Sequence, residues 1–331
     1  MVVLSLITRN SYSKMQKAPV SLEDVLDSTL QIPYKQIILV DDSVDETRNL
    51  FRRWCDEHGK ELIVSSSKLY GHHRPTRATA RQTAIDIFLE NFSDDWLMFV
   101  DDDVVLNPGW WEWVRGNMVL EDADVGEVWG INWDASPERE RFLKLFGIDL
   151  RSYLIRKFEE RGGTHDTLYN RRAIAGIRIP PELHVYEDAF IHFYVKCGGW
   201  KSVINPVGVI HYHPMNTYTD LRREKELLRM AIVAAVKYGI CEYENAKLLR
   251  GNPSGRLASY LALLRPVLGL APMLLTTIKV YGVKDGIIEA LKRQYLKLWF
   301  RWQVLHAVKS GIPDVCEGVR RAVWGQEHGA R

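Results

Sequence analysis

The chain has 331 residues, of which 46% are apolar and 26% are charged, a composition that excludes a disordered or fibrous protein. Its length corresponds to about two domains, or to one large α/β domain with an appendage. The 4 cysteines are far apart and form no CxxC pair, which excludes a zinc ribbon and a disulfide scaffold. The chain starts on an apolar run without a basic segment before it, so we expect no signal peptide.

Charge is unevenly divided along the chain. Residues 1–218 carry 25 Lys and Arg against 32 Asp and Glu, whereas residues 219–331 carry 19 against 10. An acidic first part is typical of a site that gathers metal ions, and a basic, apolar second part fits an anionic membrane surface or a nucleic acid. We therefore predict a domain boundary near residue 218, with the candidate catalytic domain at 1–218 and a separate region at 219–331, for which charge alone does not choose between a membrane and a nucleic acid.

Short runs rich in β-branched residues alternate with helical patterns in the first part of the chain. The predicted strands are Val2–Ile7, Gln36–Val40, Glu61–Val64, Trp96–Val100, Gly126–Ile131 and Trp200–Ile204. The predicted helices are Ser21–Leu30, with a capping box of Ser21 and Asp24, Asp45–His58, Thr76–Asn91 and Glu187–Cys197. This alternation predicts an α/β fold with a mostly parallel central sheet covered by helices. Ligands of such sheets bind at the carboxyl ends of the strands.

The strongest local motif is the acidic run Asp101–Asp103, which directly follows the predicted strand Trp96–Val100. Adjacent carboxylates are unfavourable unless a cation neutralises them. In an extended backbone Asp101 and Asp103 point to the same side, and such a pair suits Mn²⁺ or Mg²⁺. By itself the motif also fits a phosphohydrolase, a nucleotidyltransferase or a solvated acidic turn.

A second carboxylate pair, Asp41 and Asp42, follows the second predicted strand, beside Thr8–Asn10 at the end of the first. Such a rim can hydrogen-bond a base and a ribose, although a helix-capping loop is the alternative interpretation. Both groups lie at strand ends, where the fold class predicts a ligand site.

The remaining candidates lie later in the chain. Glu187 and Asp188 open a predicted helix, where they can serve as a general base or simply stabilise the helix start. His211 and His213 share one face of an extended segment, and one imidazole could complete the metal site. The alternative interpretation is a purely structural role for both histidines. The sequence has no GxSxG, P-loop or GxGxxG motif, so acyl transfer, P-loop hydrolysis and dinucleotide binding lose their usual support.

The order of these motifs, together with Ala80–Ile85, resembles the inverting family 2 glycosyltransferases of GT-A fold over about residues 1–240. The resemblance implies that nucleotide-sugar contacts come from Thr8, Arg9, Asn10, Asp41, Asp42, Arg81, Asp101 and Asp102. It implies metal ligands at Asp101, Asp103, His211 and His213, with Asp188 as catalytic base and Glu187 beside it. Gln82 and Ala84 stand where the family usually has Asn and Gly, and the Gln-x-x-Arg-Trp signature of processive synthases is missing.

The second part of the chain suggests membrane contact. Leu257–Ile278 is apolar but contains Arg265, and a central Arg costs about 2.5–3.5 kcal/mol on insertion. Gly286–Val308 mixes Leu and Trp with Lys and Arg, as interfacial helices do. We expect an interfacial, re-entrant or spanning region, with spanning the least favoured and a helical lid on the catalytic domain as the alternative. Val280–Gly286 resembles a segment of membrane-attached enzymes that extend lipid-linked sugars.

The resemblance implies metal-dependent transfer of a sugar from a nucleotide-diphospho-sugar to a polyprenyl- or dolichyl-linked lipid at the cytoplasmic side of the cell membrane. The first expectation is mannose from GDP-mannose, as in the dolichyl-phosphate-dependent mannosyltransferases of N-glycan assembly in protein glycosylation. A UDP-sugar enzyme of cell-surface polysaccharide synthesis is the alternative. A sugar-phosphate nucleotidyltransferase is disfavoured because Thr8–Tyr12 contains no glycine. A nucleic-acid partner is not expected.

Overall fold

The computed structural model describes residues 1–133, 149–212, 219–240, 270–307 and 312–324. These residues fall into two units. The first contains 1–133, 151–212 and 319–324, and the second contains 149–150, 219–240, 270–307 and 312–318.

The first unit is built on an eight-stranded sheet. Its strands are β1 (Val2–Thr8), β2 (Tyr34–Asp41), β3 (Glu61–Ser65), β4 (Trp96–Val100), β5 (Val104–Leu106), β6 (Val125–Asn132), β7 (Asp166–Asn170) and β8 (Lys201–His211). They are arranged in the order β3-β2-β1-β4-β7-β6-β8-β5. The six predicted strands are confirmed in position, whereas β5 and β7 were not predicted.

The sheet is mixed, which corrects the prediction of a mostly parallel sheet. β1 pairs in parallel with β2 and β4, β2 with β3, and β6 with β8. The pairs β4–β7, β6–β7 and β5–β8 are antiparallel. The difference arises because the two unpredicted strands are the ones that run against their neighbours.

Helices cover the sheet. In the first unit they are α1 (Ser11–Met15), α2 (Leu22–Ser28), α3 (Thr47–Glu57), α4 (Arg77–Asn91), α5 (Trp110–Gly116), α6 (Leu150–Arg161, without its first residue), α7 (Arg171–Ile174) and α8 (Glu187–Cys197). The predicted capping box of Ser21 and Asp24 is confirmed at the start of α2. Thr76 and Thr79 form a second reciprocal cap at the start of α4, so both helices begin where their first amide groups find side-chain acceptors.

The central strands position the candidate site. β1, β2 and β4 are buried along almost their whole length, as expected for strands covered on both faces. The β1–β2 register places Thr8 opposite Asp41 at the carboxyl ends, and β4 ends on the other side of β1 just before Asp101. Three polar strand ends therefore lie along one edge of a rigid sheet.

β8 runs past its predicted end at Ile204 because Gly208 allows the strand to continue. Gly208 has a φ of 61°, and a Cβ atom there would lie 2.0 Å from the Ile131 carbonyl oxygen. The β6–β8 register shifts at this point, as in a β-bulge. The continuation brings His211 opposite Val104, the first residue of β5, and thus next to the acidic run.

The second unit contains α9 (Leu221–Tyr238), α10 (Leu270–Tyr281) and α11 (Val283–Ala307), and α12 (Val315–Trp324) begins in it. α10 and α11 pack closely because Gly286 has no side chain: a Cβ atom there would lie 2.4 Å from the Ile278 Cα. No helix in the described ranges has both the length and the apolarity that a membrane crossing requires. Most of the predicted segment Leu257–Ile278 lies outside the described residues.

Candidate active site

The acidic run forms a tight turn between β4 and β5. The Asp101 amide donates to the His165 carbonyl at 3.0 Å, and the Val104 amide donates back to the Asp101 carbonyl at 3.4 Å. Asp103 is 7% exposed, and its Oδ1 lies 2.8 Å from Nε2 of His211. Of the four predicted metal ligands, the structure thus brings Asp103 and His211 into direct contact.

Lys14 of α1 binds the same turn. Its Nζ lies 2.8 Å from Asp102 Oδ1 and 2.7 Å from Asp103 Oδ2. Ser11, one helical turn earlier on the same face, donates its hydroxyl hydrogen to the other oxygen of Asp102. The helix is fixed at its start by Asn10, which adopts a left-handed conformation with a φ of 55°. One ammonium group therefore neutralises two neighbouring carboxylates.

These contacts set the charge state of the turn. Burial opposes ionisation of Asp103, but the hydrogen bond and charge of His211, together with Lys14, hold the pKa of this carboxyl well below its usual range. Burial by itself would lower the pKa of His211, but the hydrogen bond and the charge of Asp103 outweigh burial, so the pKa of His211 is raised. Burial also raises the pKa of Asp102, against the opposing charge of Lys14. Compared with the free side chains, the turn thus favours ionisation of Asp103 and protonation of His211.

Arg81 joins the acidic turn to the start of α8. Its side chain is 3% exposed, its Nη2 donates to Asp101 Oδ1 at 2.9 Å, and its Nε donates to Glu187 Oε1 at 3.4 Å. Burial opposes ionisation of Asp101, yet the charge of Arg81 outweighs it and the pKa of Asp101 is lowered. The predicted sugar-nucleotide contact at Arg81 and the predicted catalytic pair therefore lie in one connected site.

The two acidic residues at the start of α8 differ in exposure. Glu187 is 2% exposed, and burial together with the charge of Asp188 raises its pKa to about 7, against the opposing charge of Arg81. The Asp188 side chain is 17% exposed, and its Oδ2 lies 3.6 Å from Nη2 of Arg161. Asp188 is therefore the member of the pair that a substrate can reach, whereas Glu187 holds Arg81.

The rim formed by β1 and β2 is also divided into a buried and an accessible part. Asp41 is fully buried, with Oδ1 accepting from Thr8 Oγ1 at 2.6 Å and Oδ2 accepting from Arg48 Nε at 2.7 Å. Asp42 is half-buried, and its Oδ1 accepts from the Ser67 amide at 3.1 Å. Asp41 therefore holds the strand ends together, while Asp42 borders the open side. Arg9, the remaining predicted contact, is exposed.

The described part of the chain contains no group of three or more His, Cys, Asp or Glu side chains arranged to hold a metal ion. Asp101 is turned towards Arg81, and His213 lies outside the described residues. The Asp103–His211 pair supplies one carboxylate and one imidazole, a donor set that suits Mn²⁺ or Mg²⁺ when phosphate and water oxygens complete the coordination. The residues present thus fit a divalent ion that binds together with a phosphorylated ligand.

Three residues of the site were not found by sequence reasoning. Lys14, Arg48 and Arg161 contact Asp103, Asp41 and Asp188 respectively. Arg48 could have been suspected, since a cation in the helix after an acidic strand end often reaches back to it. Lys14 and Arg161 are 89 and 27 positions from their partners, so only the folded chain shows them.

Comparisons with known proteins identify the family. The sequence profile of glycosyl transferase family 2 matches residues 8–176, just over half of the chain. No curated protein matches the chain. Among solved structures, the mannosyltransferase PcManGT from Pyrobaculum calidifontis, solved in complex with GDP-Man and Mn²⁺, is similar with 17% identity and a TM-score of 0.53. That similarity covers 92% of this chain and 85% of that chain.

Two further solved structures are less similar. TarS residues 1–349 from S. aureus has 13% identity and a TM-score of 0.49, covering 99% of this chain and 91% of that one. Glucosyl-3-phosphoglycerate synthase from Mycobacterium tuberculosis, in complex with Mn²⁺, UDP and phosphoglyceric acid, has 14% identity and a TM-score of 0.45, covering 71% and 78%. The profile match, on an α/β fold of GT-A type, shows that this chain belongs to glycosyl transferase family 2.

Proposed function

We propose that this chain is an inverting, metal-dependent glycosyltransferase that moves a sugar from a nucleotide-diphospho-sugar to a lipid-linked acceptor. The Arg81 bridge carries this proposal, because it ties Asp101 at the acidic turn to Glu187, the neighbour of Asp188. The acidic turn that carries the candidate metal site and a carboxylate that can accept a proton are thereby held in one site. Sugar transfer to a hydroxyl requires both, because the diphosphate has to depart and the acceptor has to lose its proton.

On the donor side, the nucleotide would lie across the ends of β1, β2 and β4. Asp42 is the better candidate for contact with the base, since it is only half-buried, whereas Asp41 is fully buried between Thr8 and Arg48. Asp103 and His211 would hold a divalent ion, with Asp101 and His213 as further candidate ligands. When bound, such an ion stabilises negative charge on the diphosphate as it departs.

On the acceptor side, Asp188 would act as general base. The acceptor oxygen attacks C1 of the sugar, its proton passes to the Asp188 carboxylate, and the C1–O bond to the diphosphate breaks with inversion. Arg161 lies 3.6 Å from this carboxylate and would orient it. An acceptor that is itself a lipid phosphate is already anionic and would need no base.

GDP-mannose is the first donor to test, because the Pyrobaculum calidifontis mannosyltransferase of similar fold was solved with it. We expect the full-length protein to release GDP from GDP-mannose in the presence of a polyprenyl-phosphate acceptor and Mn²⁺, and to lose this activity in excess chelator. A luminescence assay that distinguishes GDP from UDP provides the measurement. If the protein releases UDP from UDP-sugars but no GDP from GDP-mannose, a UDP-sugar replaces GDP-mannose as the proposed donor. Release of neither nucleotide would contradict the proposal.

The second unit supports a lipid-linked acceptor. α11 exposes an apolar stripe whose members, after an adjacent pair at its start, follow at spacings of three and four residues, about one helical turn: Ile287, Ile288, Leu291, Tyr295, Leu298 and Trp302. Lys284 and Lys297 on the same helix are also exposed. Apolar residues with Trp and cations on one helix are typical of helices that lie at a membrane surface. We propose that this stripe contacts the cytoplasmic face of the cell membrane, where the acceptor would be met.

Leu291→Glu tests the membrane contact. Leu291 is 56% exposed in the centre of the stripe, so the change should leave the fold intact while placing a charge in the contact. We expect at least about a tenfold loss of binding to anionic phospholipid vesicles, since one buried Leu contributes about 1.5–3 kcal/mol. Leu69→Glu, at a residue of the first unit that is 40% exposed, is the matched control. Unchanged cosedimentation of Leu291→Glu with vesicles would argue against this surface.

A further inference from the structure

The acidic turn, Asp101–Asp103, is in contact with the cationic side chain of Lys14. Lys14 Nζ lies 2.7 Å from Asp103 Oδ2, and the other oxygen of Asp103 lies 2.8 Å from His211 Nε2. Both oxygens of the carboxylate that best fits a divalent ion are therefore engaged within the protein. An ion that binds Asp103 and His211 together takes the place of the hydrogen bond between them and then lies close to the Lys14 ammonium, which contacts the other oxygen of the same carboxylate.

The Lys14 ammonium then needs a further anionic partner. Lys14 bridges Asp102 and Asp103, while Asp101 is already paired with Arg81, so a divalent ion at Asp103 would stand beside an unreleased positive charge. Like charges at such short range repel strongly in a partly buried site. A nucleotide diphosphate brings two phosphate groups to this edge of the sheet and can accept the Lys14 ammonium when the ion binds Asp103.

We propose that Lys14 is the resident counter-cation of the acidic turn and that it couples the binding of the divalent ion to the binding of the donor diphosphate. The inference rests on the proposed function, since it requires a nucleotide diphosphate at this site. With Lys14 on Asp102 and Asp103, the ion binds weakly alone. With the diphosphate present, Lys14 moves onto phosphate oxygens and both ligands bind more tightly. By linkage, each ligand raises the affinity for the other by the same factor.

The position of Lys14 favours this role over a purely structural one. Its side chain is 35% exposed, so it can leave the turn without opening the core. α1 stays in place without it, because the Asn10 amide donates to Ser43 Oγ at 2.6 Å and the Tyr12 amide donates to Thr47 Oγ1 at 3.0 Å. α1 therefore stays in place, and only the long side chain of Lys14 moves.

The test measures Mn²⁺ binding by the electron paramagnetic resonance signal of free Mn²⁺, with and without saturating GDP and, separately, UDP. We expect the unaltered full-length protein to bind Mn²⁺ at least tenfold more tightly with one of the nucleotides. Lys14→Met should bind Mn²⁺ at least tenfold more tightly than the unaltered protein when no nucleotide is present, and most of the nucleotide effect should vanish. Lys14→Arg, which keeps the charge, should retain coupling.

Lys17→Met is the matched control, since Lys17 is an exposed residue just beyond the same helix, and it should behave as the unaltered protein. Circular dichroism of each variant reports whether it is folded. If Lys14→Met and the unaltered protein bind Mn²⁺ equally with and without nucleotide, the inference is overturned while the proposed function stands. If neither protein binds Mn²⁺ under any of these conditions, the proposed function fails together with it.

Discussion

Replacing Asp188 by Ala is expected to lower sugar transfer to a hydroxyl acceptor by about 10²-fold or more, the usual contribution of a general base. Asp188 is the accessible carboxylate at the start of α8, and Arg161 holds it at 3.6 Å. The loss should fall on kcat, with the KM for the nucleotide sugar little changed, because Asp188 acts on the acceptor side. Steady-state kinetics of purified protein with a defined acceptor provides the measurement.

Glu159→Ala is the control for Asp188→Ala, since Glu159 is an exposed carboxylate on α6 and should be silent. An anionic lipid phosphate needs no base, so a mild loss in Asp188→Ala would identify that acceptor class instead. A large rise in KM for the donor, with kcat unchanged, would contradict the assignment of Asp188 to the acceptor side.

Arg81→Met is expected to destabilise the first unit by about 3–5 kcal/mol, the usual cost of leaving buried charges without their partner. Arg81 is 3% exposed and pairs with Asp101 and Glu187, so both carboxylates would lose their counter-charge. Transfer activity should be lost as well, because the bridge positions both halves of the site. Denaturant unfolding measures the change, with the exposed Arg53→Met as control.

The pH dependence of unfolding provides an independent check on this bridge. The pKa of Glu187 is about 7 in the folded protein against an ordinary value of 4.5, so the folded state binds more protons between these limits. The contribution of Glu187 to the unfolding free energy therefore falls as the pH rises from 4.5 to about 7. Glu187→Gln should remove this slope, and Arg81→Met/Glu187→Gln should regain part of the stability lost in Arg81→Met. A double variant no more stable than Arg81→Met would contradict the bridge.

Much of the sheet edge that carries the candidate site could be predicted, because its residues follow strands that the local sequence marks. An apolar run that ends in carboxylates marks the carboxyl end of a buried strand, which places Asp41 after β2 and Asp101–Asp103 after β4. The parallel pairing of β1 with β2 and β4 then brings these ends together. Spacing also located α8 from Glu187 to Cys197, with the candidate base in its first turn.

What could not be predicted depends on tertiary contacts or on short, polar elements. β7 (Asp166–Asn170) is five residues of mixed polarity, and its pairing with β4 determines that the sheet is mixed. The extension of β8 requires a bulge at Gly208, which in sequence resembles the end of a strand. Glu187 is buried against Arg81, which lies 106 positions earlier in the chain, whereas Asp188 is more exposed. This difference depends on a distant contact, so the two adjacent carboxylates look equivalent in the sequence.

The central claim is that a divalent ion at Asp103 and His211 stabilises the departing diphosphate, and Asp103→Asn in manganese or chelator tests it most directly. The substitution keeps the size of the side chain and removes its charge, while Asp122→Asn, at an exposed carboxylate, serves as control. We predict that Asp103→Asn loses at least about 10³-fold of the transfer rate in Mn²⁺, consistent with several kcal/mol of transition-state stabilisation by a metal ion. Turnover of Asp103→Asn in chelator as fast as that of the unaltered protein in Mn²⁺ would contradict the account.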